Sequence, residues 1–440
     1  MNILCPPLQT YLITASHSGM VAALDAYSSS GDGPQQQPYR VLWTRHLLSR
    51  IDSGPVASTD GRLTFLCPRS AHLMALATAT GDTVWSVLID SSVRNSPTVV
   101  GSRVLAGSHN GRLFCCETER GLVLWSADLE AGGIVASPVL YHTRKSPREA
   151  RVLVATVTGL IAGLALDTGV ILWRLPFSTG SRYESVFATP LVMGHRAVVC
   201  LVQERIVCVS LGENPAYSKN RTRWSVPIAR PVTSGGAGIV VNRGGDHFCS
   251  PVGVRLPDGR QAAIVATHCR AVYCVDVADG KVLWCTAAAA SIHSVPFLVG
   301  HGVIVVDTIG NLQLLDVFTG KAIAARAITS GPGNSSDGGD GNDEGEGGDR
   351  KKSRCTSFRI SKWKFGKAVH DLCSTSDQPK EVDQLRLTPM VHSSPILHQG
   401  KLFIGARDNY LHCFTLNLSY ERDGSITDTS RFYPKIVPSA

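Results

Sequence analysis

The chain has 440 residues, of which 43% are apolar and 18% are charged. The apolar share is ample for a buried core, and the low charged share suits many short, half-buried strands. The net charge is +8, but residues 350–367 carry eight basic groups and no acid. The rest of the chain is therefore neutral, which excludes an extended nucleic-acid-binding surface over the folded body.

The chain has 13 cysteines, an odd number, and no pair shows Cys-x-x-Cys spacing. Most of them lie in apolar segments, so we expect buried free thiols in a reducing compartment. Residues 1–19 lack the basic region and long apolar core of a secretion signal, and no apolar run reaches the roughly 18 residues of a membrane span. These features predict a cytoplasmic location.

Two markers recur in phase along the chain, which indicates an internal repeat. Tryptophans close similar apolar phrases at Trp43, Trp85, Trp125, Trp173, Trp224 and Trp284. Small residues precede prolines at Pro55, Pro97, Pro138, Pro190, Pro251, Pro296 and Pro395. Each unit between the markers has about four short strand-like segments.

A hairpin phrase lies between the two markers in each unit. It consists of an apolar strand, a tight turn such as Asn110-Gly111, and a second strand. Eight copies are present, at residues 11–25, 65–77, 104–117, 152–167, 198–210, 263–276, 303–316 and 401–414. Four-stranded units of this length bury both faces only when they stack radially, so the repeat predicts an all-β fold with a single β-propeller.

The best copies place a glycine four residues before the tryptophan, as in Asp276-x-x-x-Gly280-x-x-x-Trp284. This phrase resembles the A-x-D-x-x-x-G-x-x-x-W repeat of PQQ-type propellers. In that family the glycine and the tryptophan dock neighbouring blades, because a large flat ring needs a peptide without a side chain to lie against. The resemblance gives this structural blade-docking role to Gly81, Trp85, Gly121, Trp125, Gly169, Trp173, Gly280 and Trp284.

Two copies depart from the phrase. Ala324 stands where a tryptophan would follow Gly320, and Asp167-Thr168-Gly169 reads as two residues short. We expect looser junctions at both places. The count gives eight blades, with seven as the alternative. No Ser-Pro strand precedes Tyr11, so the ring is expected to be incomplete at its N-terminus and the chain to be a fragment or isoform of a longer protein.

The expected domain organisation follows from these repeats and from composition. Residues 1–329 form propeller repeats, 387–420 form the last repeat that closes the ring, and 421–440 form a C-terminal tail. Residues 330–386 begin with a glycine- and acid-rich stretch that cannot pack, so they are predicted to be a disordered insertion. The basic run that follows is expected to compensate the acidic one, with nucleic acid as the less favoured partner.

No residues of the chain form a catalytic, cofactor-binding or metal-binding motif. The acidic segment at Asp340 has Lys351 where a calcium loop needs glutamate. Cys115-Cys116 is similar to the adjacent pair of PQQ-dependent alcohol dehydrogenases, but neighbours in a strand point to opposite faces. His109 and His268 occupy corresponding turns, which is typical of a repeat feature. We therefore expect no cofactor and no metal.

The segments 392–416 and 15–28 resemble the C-terminal propeller of the β-alanine-activating enzymes of animals, which belong to the acyl-CoA synthetase family and are related by name and domain plan to aminoadipate-semialdehyde dehydrogenases. In that family an ATP-dependent adenylation domain and a phosphopantetheine carrier domain precede the propeller. The resemblance implies a non-catalytic accessory module that contacts a protein partner or acyl acceptor through a propeller face, away from membranes. The alternatives are a PQQ-dependent quinoprotein dehydrogenase and a free-standing protein-binding scaffold.

Overall fold

The computed structural model contains 33 β-strands and no α-helix in the residues that it describes. These residues are 11–25, 40–179, 182–202, 205–212, 221–227, 249–327, 358–364, 394–398, 401–405 and 410–416. The predicted all-β class is confirmed. Among the described residues there is no helical segment with the length and hydropathy that a membrane crossing requires.

Two compact units divide the chain, Met1–Cys285 and Thr286–Ala440. The first unit contains an antiparallel sheet of three strands, which we call sheet 1, and then sheets 2 to 6 of four strands each. The boundary falls inside the last strand of sheet 6. The strands of sheets 1 to 3 are β1 (Tyr11–Ala15), β2 (Met20–Asp25) and β3 (Val41–His46); β4 (Val56–Ala57), β5 (Leu63–Leu66), β6 (His72–Ala77) and β7 (Thr83–Leu88); and β8 (Thr98–Val100), β9 (Arg103–Gly107), β10 (Arg112–Glu117) and β11 (Val123–Asp128).

Sheets 4 to 6 repeat the same order, in which each strand pairs with the next along the chain. A two-stranded hairpin lies between sheets 4 and 5. The strands are β12 (Val139–Tyr141), β13 (Arg151–Ala155), β14 (Leu160–Ala165) and β15 (Ile171–Pro176); the hairpin β16 (Ser178–Thr179) and β17 (Arg182–Tyr183); β18 (Leu191–Met193), β19 (Arg196–Leu201), β20 (Arg205–Ser210) and β21 (Thr222–Pro227); and β22 (Val252–Arg255), β23 (Gln261–Thr267), β24 (Ala271–Asp276) and β25 (Val282–Ala287).

The second unit contains sheets 7 and 8, each of four strands. Sheet 7 has the usual order, while sheet 8 has the order β30-β33-β32-β31 because its edge strand precedes the others in the chain. The strands are β26 (Phe297–Val299), β27 (Gly302–Val306), β28 (Asn311–Asp316) and β29 (Ala322–Ala327), and β30 (Phe358–Lys364), β31 (Ile396–His398), β32 (Lys401–Gly405) and β33 (Tyr410–Leu416).

The strand β30 lies inside the segment 330–386, for which the sequence predicts disorder. Its backbone pairs with the whole of β33, from Phe358 opposite Leu416 to Lys364 opposite Tyr410. The prediction of disorder is therefore wrong for β30. The prediction rested on the acid-rich start of the segment, whereas β30 contains aromatic and β-branched residues that favour a strand. The other residues of the segment lie outside the described ranges, and the domain boundaries stay a prediction.

In sheets 2 to 7 the second and third strands form the core, because both of their faces carry buried residues. All eight hairpin phrases of the sequence fall on pairs of neighbouring strands, as predicted: the first and second strands of sheet 1, the second and third strands of sheets 2 to 7, and β32 and β33 of sheet 8. In β9, Val104, Leu105 and Ala106 are all fully buried, so neighbours on opposite faces are both covered. In the first unit one apolar cluster fills each space between successive sheets, as between sheets 2 and 3 or sheets 3 and 4.

The predicted tight turn is present at Asn110-Gly111. Gly111 has φ of 85°, and a Cβ on it would clash with the carbonyl oxygen of Ala131. Glycine is therefore required twice, for the left-handed backbone and for the close approach of the next link.

Candidate functional site: repeat junctions and an arginine pair on one face

A chain of hydroxyl groups links the first strands of successive sheets in the first unit. Ser96 Oγ accepts a hydrogen bond from Gly54 N at 2.8 Å, and Ser137 Oγ accepts one from Ser96 N at 3.1 Å. The chain continues to Thr189 Oγ1 at 3.1 Å and to Ser250 Oγ at 3.0 Å. Each hydroxyl thus satisfies a backbone donor of the preceding sheet, which explains why serine or threonine stands before the prolines.

The junction between sheets 2 and 3 is built on Trp85 and Gly121. The indole Nε1 of Trp85 donates to Thr118 O at 2.8 Å, and ring atoms lie 2.6 and 2.7 Å from the place where a Cβ of Gly121 would be. Gly121 has φ of 72°. The ring lies flat on a peptide that no other residue type can replace without strain or displacement.

Three further junctions in the first unit have the same geometry. In each, the tryptophan ring lies against a glycine of the next sheet, and its Nε1 donates to a carbonyl oxygen there at 2.9 to 3.1 Å. The pairs are Trp43 with Gly81, Trp125 with Gly169, and Trp224 with Gly280. The assignment of the docking role to particular residues stays a prediction that substitution will test.

The expectation that the copy at Gly169 is two residues short is wrong. The turn begins at Ala165, whose carbonyl accepts from Gly169 N at 2.9 Å, as the carbonyl of Glu117 accepts from Gly121 N at 3.0 Å. Counting from Asp167 misplaced the start of the phrase. The expected looser junction is also absent, because Trp125 contacts Gly169 as Trp85 contacts Gly121.

Trp173 has a different environment from the other tryptophans. Its Nε1 donates to the hydroxyl of Tyr141 within its own sheet at 2.9 Å, and the guanidinium of Arg221 lies 4.3 Å from its ring centre. Arg221 Nη1 also donates to the carbonyls of Ser210 and Gly212, at 3.1 and 2.8 Å. A cation–π contact covers the ring here. Trp284 lies in β25 and is buried.

One end of each sheet forms what we call the loop face. It consists of the links that join the last strand of a sheet to the first strand of the next, and of the turns between second and third strands. In each link one residue stands between two buried neighbours and is itself partly or fully exposed. In successive links this residue is Asp52, Arg94, Val135 and Phe187, so its chemistry changes from one repeat to the next.

At the link between sheets 1 and 2, one carboxylate binds an arginine of the link and an arginine of the turn between β5 and β6. Asp52, with 15% of its side chain exposed, accepts from the Nε atoms of Arg50 and Arg69, both at 2.5 Å. His17 Nε2 lies 3.6 Å from the same carboxylate. Burial would raise the pKa of Asp52, but the hydrogen bonds and charges of the two arginines outweigh it and hold the pKa below its usual value.

The backbones that carry the two arginines are fixed to each other. The amide of Arg69 donates to the carbonyl of Arg50 at 2.8 Å. In the corresponding bonds of later repeats, Ser92 accepts from His109 and Gly133 from Val157. The backbone geometry is thus a repeat feature, whereas the pair of guanidinium groups belongs to this link alone among the links that the structure describes in full.

A family model matches these repeats over most of the chain. The model of the PQQ_2 family, described as outer membrane protein assembly factor BamB, matches residues 37–238 and 220–323. The chain belongs to the PQQ_2 family.

Curated PQQ_2 relatives match over shorter stretches. The outer membrane protein assembly factor BamB of Moranella endobia (strain PCIT) is 26% identical over 193 residues, which are 42% of this chain and 48% of that protein. The β-alanine-activating enzyme of Drosophila melanogaster is 30% identical over 118 residues, which are 26% of this chain and 11% of that enzyme. The chain thus spans less than half the length of the curated relatives it matches.

Solved structures establish the fold class. BamB from Moraxella catarrhalis matches with a TM-score of 0.60 at 16% identity, covering 93% of this chain and 95% of that one. Sqt1 of Saccharomyces cerevisiae matches with a TM-score of 0.60 at 8% identity, covering 94% of each chain. The predicted β-propeller fold is confirmed, while the number of blades stays a prediction.

Nine of the described cysteines of these repeats form no disulfide. Cys115 packs in the cluster between sheets 3 and 4 and Cys116 in the cluster between sheets 2 and 3, so the two sulfurs point to opposite faces, as predicted. Burial raises the pKa of Cys115 to about 12 and that of Cys116 to about 11. Both thiols are therefore neutral and unreactive at physiological pH.

Sequence reasoning missed the polar parts of the PQQ_2 junctions. The serine-proline marker was recognised, but not its role as an acceptor for the neighbouring sheet. Asn95 was missed as well: its Nδ2 donates to the carbonyls of Gly107 and Ile134, at 2.6 and 2.9 Å. In the described residues no three His, Cys, Asp or Glu side chains come together as metal ligands.

Proposed function

We propose that the chain is a non-catalytic protein-interaction module whose partner binds at the loop face. One contrast carries the proposal. The features that join the sheets repeat from junction to junction, whereas the side chain between the two buried neighbours changes along the first four links. It is partly exposed at Asp52 and Val135 and exposed at Arg94 and Phe187. Residues that only pack the sheets together are expected to recur in every repeat. Side chains that differ from repeat to repeat at one surface position are typical of a recognition surface.

The family and the fold support this proposal. PQQ_2 propellers include the BamB proteins, which are described as assembly factors. An assembly factor acts by contact with other proteins. We extend this property to the loop face of the present chain, because that face carries exposed charged and apolar groups on rigidly held links.

We further propose that the partner is an adenylating enzyme of the β-alanine-activating type, and that this chain serves it as an accessory module. The match to the Drosophila enzyme supports this proposal at 30% identity. The adenylation and carrier functions would then reside in the partner. The chain itself would position the partner or its acyl acceptor.

A binding experiment tests both levels of the proposal. The full chain is titrated into a purified β-alanine-activating enzyme in a calorimeter, and into an unrelated acyl-CoA synthetase as the control. We expect saturable binding to the first protein alone, and no ATP–pyrophosphate exchange by the chain with β-alanine. Exchange activity of the isolated chain contradicts the non-catalytic role, and equal binding to both proteins contradicts the specific partner.

We also propose that the protein works in the reducing cytoplasm. The support is chemical: of nine described free cysteines, seven are buried in the core, where oxidation would disrupt packing. Microscopy of the tagged full chain in cells of its source tests the location, and a signal confined to a secretory compartment contradicts it.

A further inference from the structure

The first link of the loop face, residues 47–55, has a leucine at a position where the next two links have an acid. The first amide of each of the four links in the first unit that show the bond donates to a carbonyl of the turn before it. This aligns Leu48 with Asp90 and Glu130 in the next two links, and with Ser178 in the link after them. Leu48 and Glu130 also share a left-handed backbone, with φ of 54° and 50°. The backbone at this position is therefore the same in the first and third links, while the side chain is leucine in one and glutamate in the other.

The acids in the later links lie close to arginines. Asp90 lies 3.9 Å from Arg112, and Glu130 lies 3.2 Å from Arg174. Leucine cannot neutralise a guanidinium. Positive charge in the first link is therefore balanced by Asp52 alone among the described residues of the link and the turns beside it.

One carboxylate leaves most donors of the two arginines available. Each guanidinium has five N–H donors, and the described residues provide Asp52 as the hydrogen-bond partner of both Arg50 and Arg69. Their side chains remain 47% and 36% exposed. The pair thus presents a net positive charge in a fixed position, since the Nε bonds and the backbone bond between the two residues hold it.

Leu48 adds an apolar side chain two residues before Arg50 in the same link. Its side chain is 87% exposed, the largest exposed fraction among the large apolar residues that the structure describes. A leucine at positive φ is strained as well as exposed, and neither property helps the fold. An exposed, strained residue is expected where recognition requires it.

We propose that Leu48, Arg50 and Arg69 form a docking site for a protein segment in which carboxylates flank an aliphatic side chain. This inference rests on the proposed interaction function and names the chemistry of the partner. The carboxylates pair with the open guanidinium donors, and the aliphatic group packs on Leu48. Nucleic acid fits less well, because a phosphate backbone has no aliphatic group to pack on the exposed side chain of Leu48.

The experiment uses the full chain and a fluorescein-labelled peptide, Ser-Glu-Glu-Leu-Glu-Glu-Ser, with binding followed by fluorescence anisotropy. The decisive variant is Leu48→Glu, which introduces the acid found at Glu130 in the same backbone conformation and so preserves the fold. We expect it to weaken binding by about tenfold or more, because it neutralises the arginines and removes the apolar contact. Arg50→Gln with Arg69→Gln should have a similar effect.

Matched controls separate the site from general electrostatics. Arg62→Gln removes an exposed arginine from the opposite end of sheet 2 and should leave binding unchanged. Replacing glutamate by glutamine in the peptide should abolish binding, and replacing its leucine by alanine should weaken binding about threefold. A single-stranded DNA of equal charge should bind more weakly than the peptide.

The outcomes distinguish this inference from the proposed function. If the wild-type chain does not bind the peptide, if Leu48→Glu binds as tightly as wild type, or if the DNA binds more tightly, the docking site is wrong. Repeating the calorimetric titration with Leu48→Glu then separates the docking site from the proposed interaction with the adenylating enzyme. Unchanged binding of the adenylating enzyme overturns only the site, whereas no binding by the wild-type chain overturns the proposed function.

Discussion

The contact between Trp85 and Gly121 makes a quantitative prediction, because a matched glycine is available in the neighbouring sheet. Gly121 has φ of 72° and Gly61 has φ of 73°. A Cβ on Gly121 would lie 2.6 Å from the ring of Trp85, while a Cβ on Gly61 would meet nothing within 4 Å. Replacement by alanine therefore imposes the same backbone strain at both positions and a steric clash at only one.

The expected magnitudes follow from these two terms. The left-handed backbone costs about 1 kcal/mol with alanine, so Gly61→Ala should lower the free energy of unfolding by that amount. Gly121→Ala adds displacement of a packed indole, which costs about 1–3 kcal/mol more. Loss of the hydrogen bond to Thr118 O would bring the total toward the upper end.

Urea unfolding of the full-length variants measures the difference, with tryptophan fluorescence and far-UV circular dichroism as probes. A double variant, Trp85→Leu with Gly121→Ala, completes the test, because without the ring the alanine should cost no more than at Gly61. Equal effects of the two single substitutions, within about 0.5 kcal/mol, would refute the docking role of this pair.

Three further predictions concern the polar contacts and the thiols. Ser137→Ala should lower the free energy of unfolding by about 1–2 kcal/mol, since Ser96 N loses its acceptor, while Ser137→Thr should behave as wild type because Thr189 fills the equivalent role. Arg221→Met should cost about 2 kcal/mol and shift the emission of Trp173, since the cation–π contact and two carbonyl bonds are lost; an unchanged spectrum would contradict the stacked geometry. Burial raises the pKa of Cys116 to about 11 and that of Cys274 to about 12, above the ordinary 9.0. The contribution of these neutral thiols to the free energy of unfolding is therefore complete below pH 9.0 and is lost as the pH rises through the folded-state values. The urea midpoint should therefore fall above pH 9.0 under reducing conditions, and less steeply in Cys116→Ala.

The fold was predictable because its signals are local and repeated. A strand pair of valine, leucine and isoleucine around a turn such as Asn110-Gly111 specifies a hairpin without reference to the rest of the chain. Eight such hairpins in phase, four of them followed by a glycine and then a tryptophan four residues later, then indicate how the sheets stack. The strand β30 was missed because its pairing with β33 joins segments about 50 residues apart, and such a pairing leaves no local pattern.

The candidate site was not predictable in the same way. Arg50, Asp52 and Arg69 look like scattered surface charges in the sequence, because the first two lie in a link and Arg69 lies in the turn between β5 and β6. Their convergence depends on the backbone bond between Arg69 and Arg50, which appears only once the sheets are packed. The sequence does contain one signal for Leu48. When the repeats are aligned, Leu48 stands at a position that is an acid in the next two links.

The contrast between repeated and unrepeated features separates the scaffold from the site. The junction at Trp173 shows how the scaffold tolerates change: Arg221 replaces the glycine contact, yet the ring stays covered. Packing thus requires that some group covers the ring, but it does not fix which residue type supplies that group. No comparable requirement explains Leu48, which is strained, exposed and unlike the acids at the aligned positions of the next two links. A residue that the scaffold does not need is best explained by the partner that it contacts.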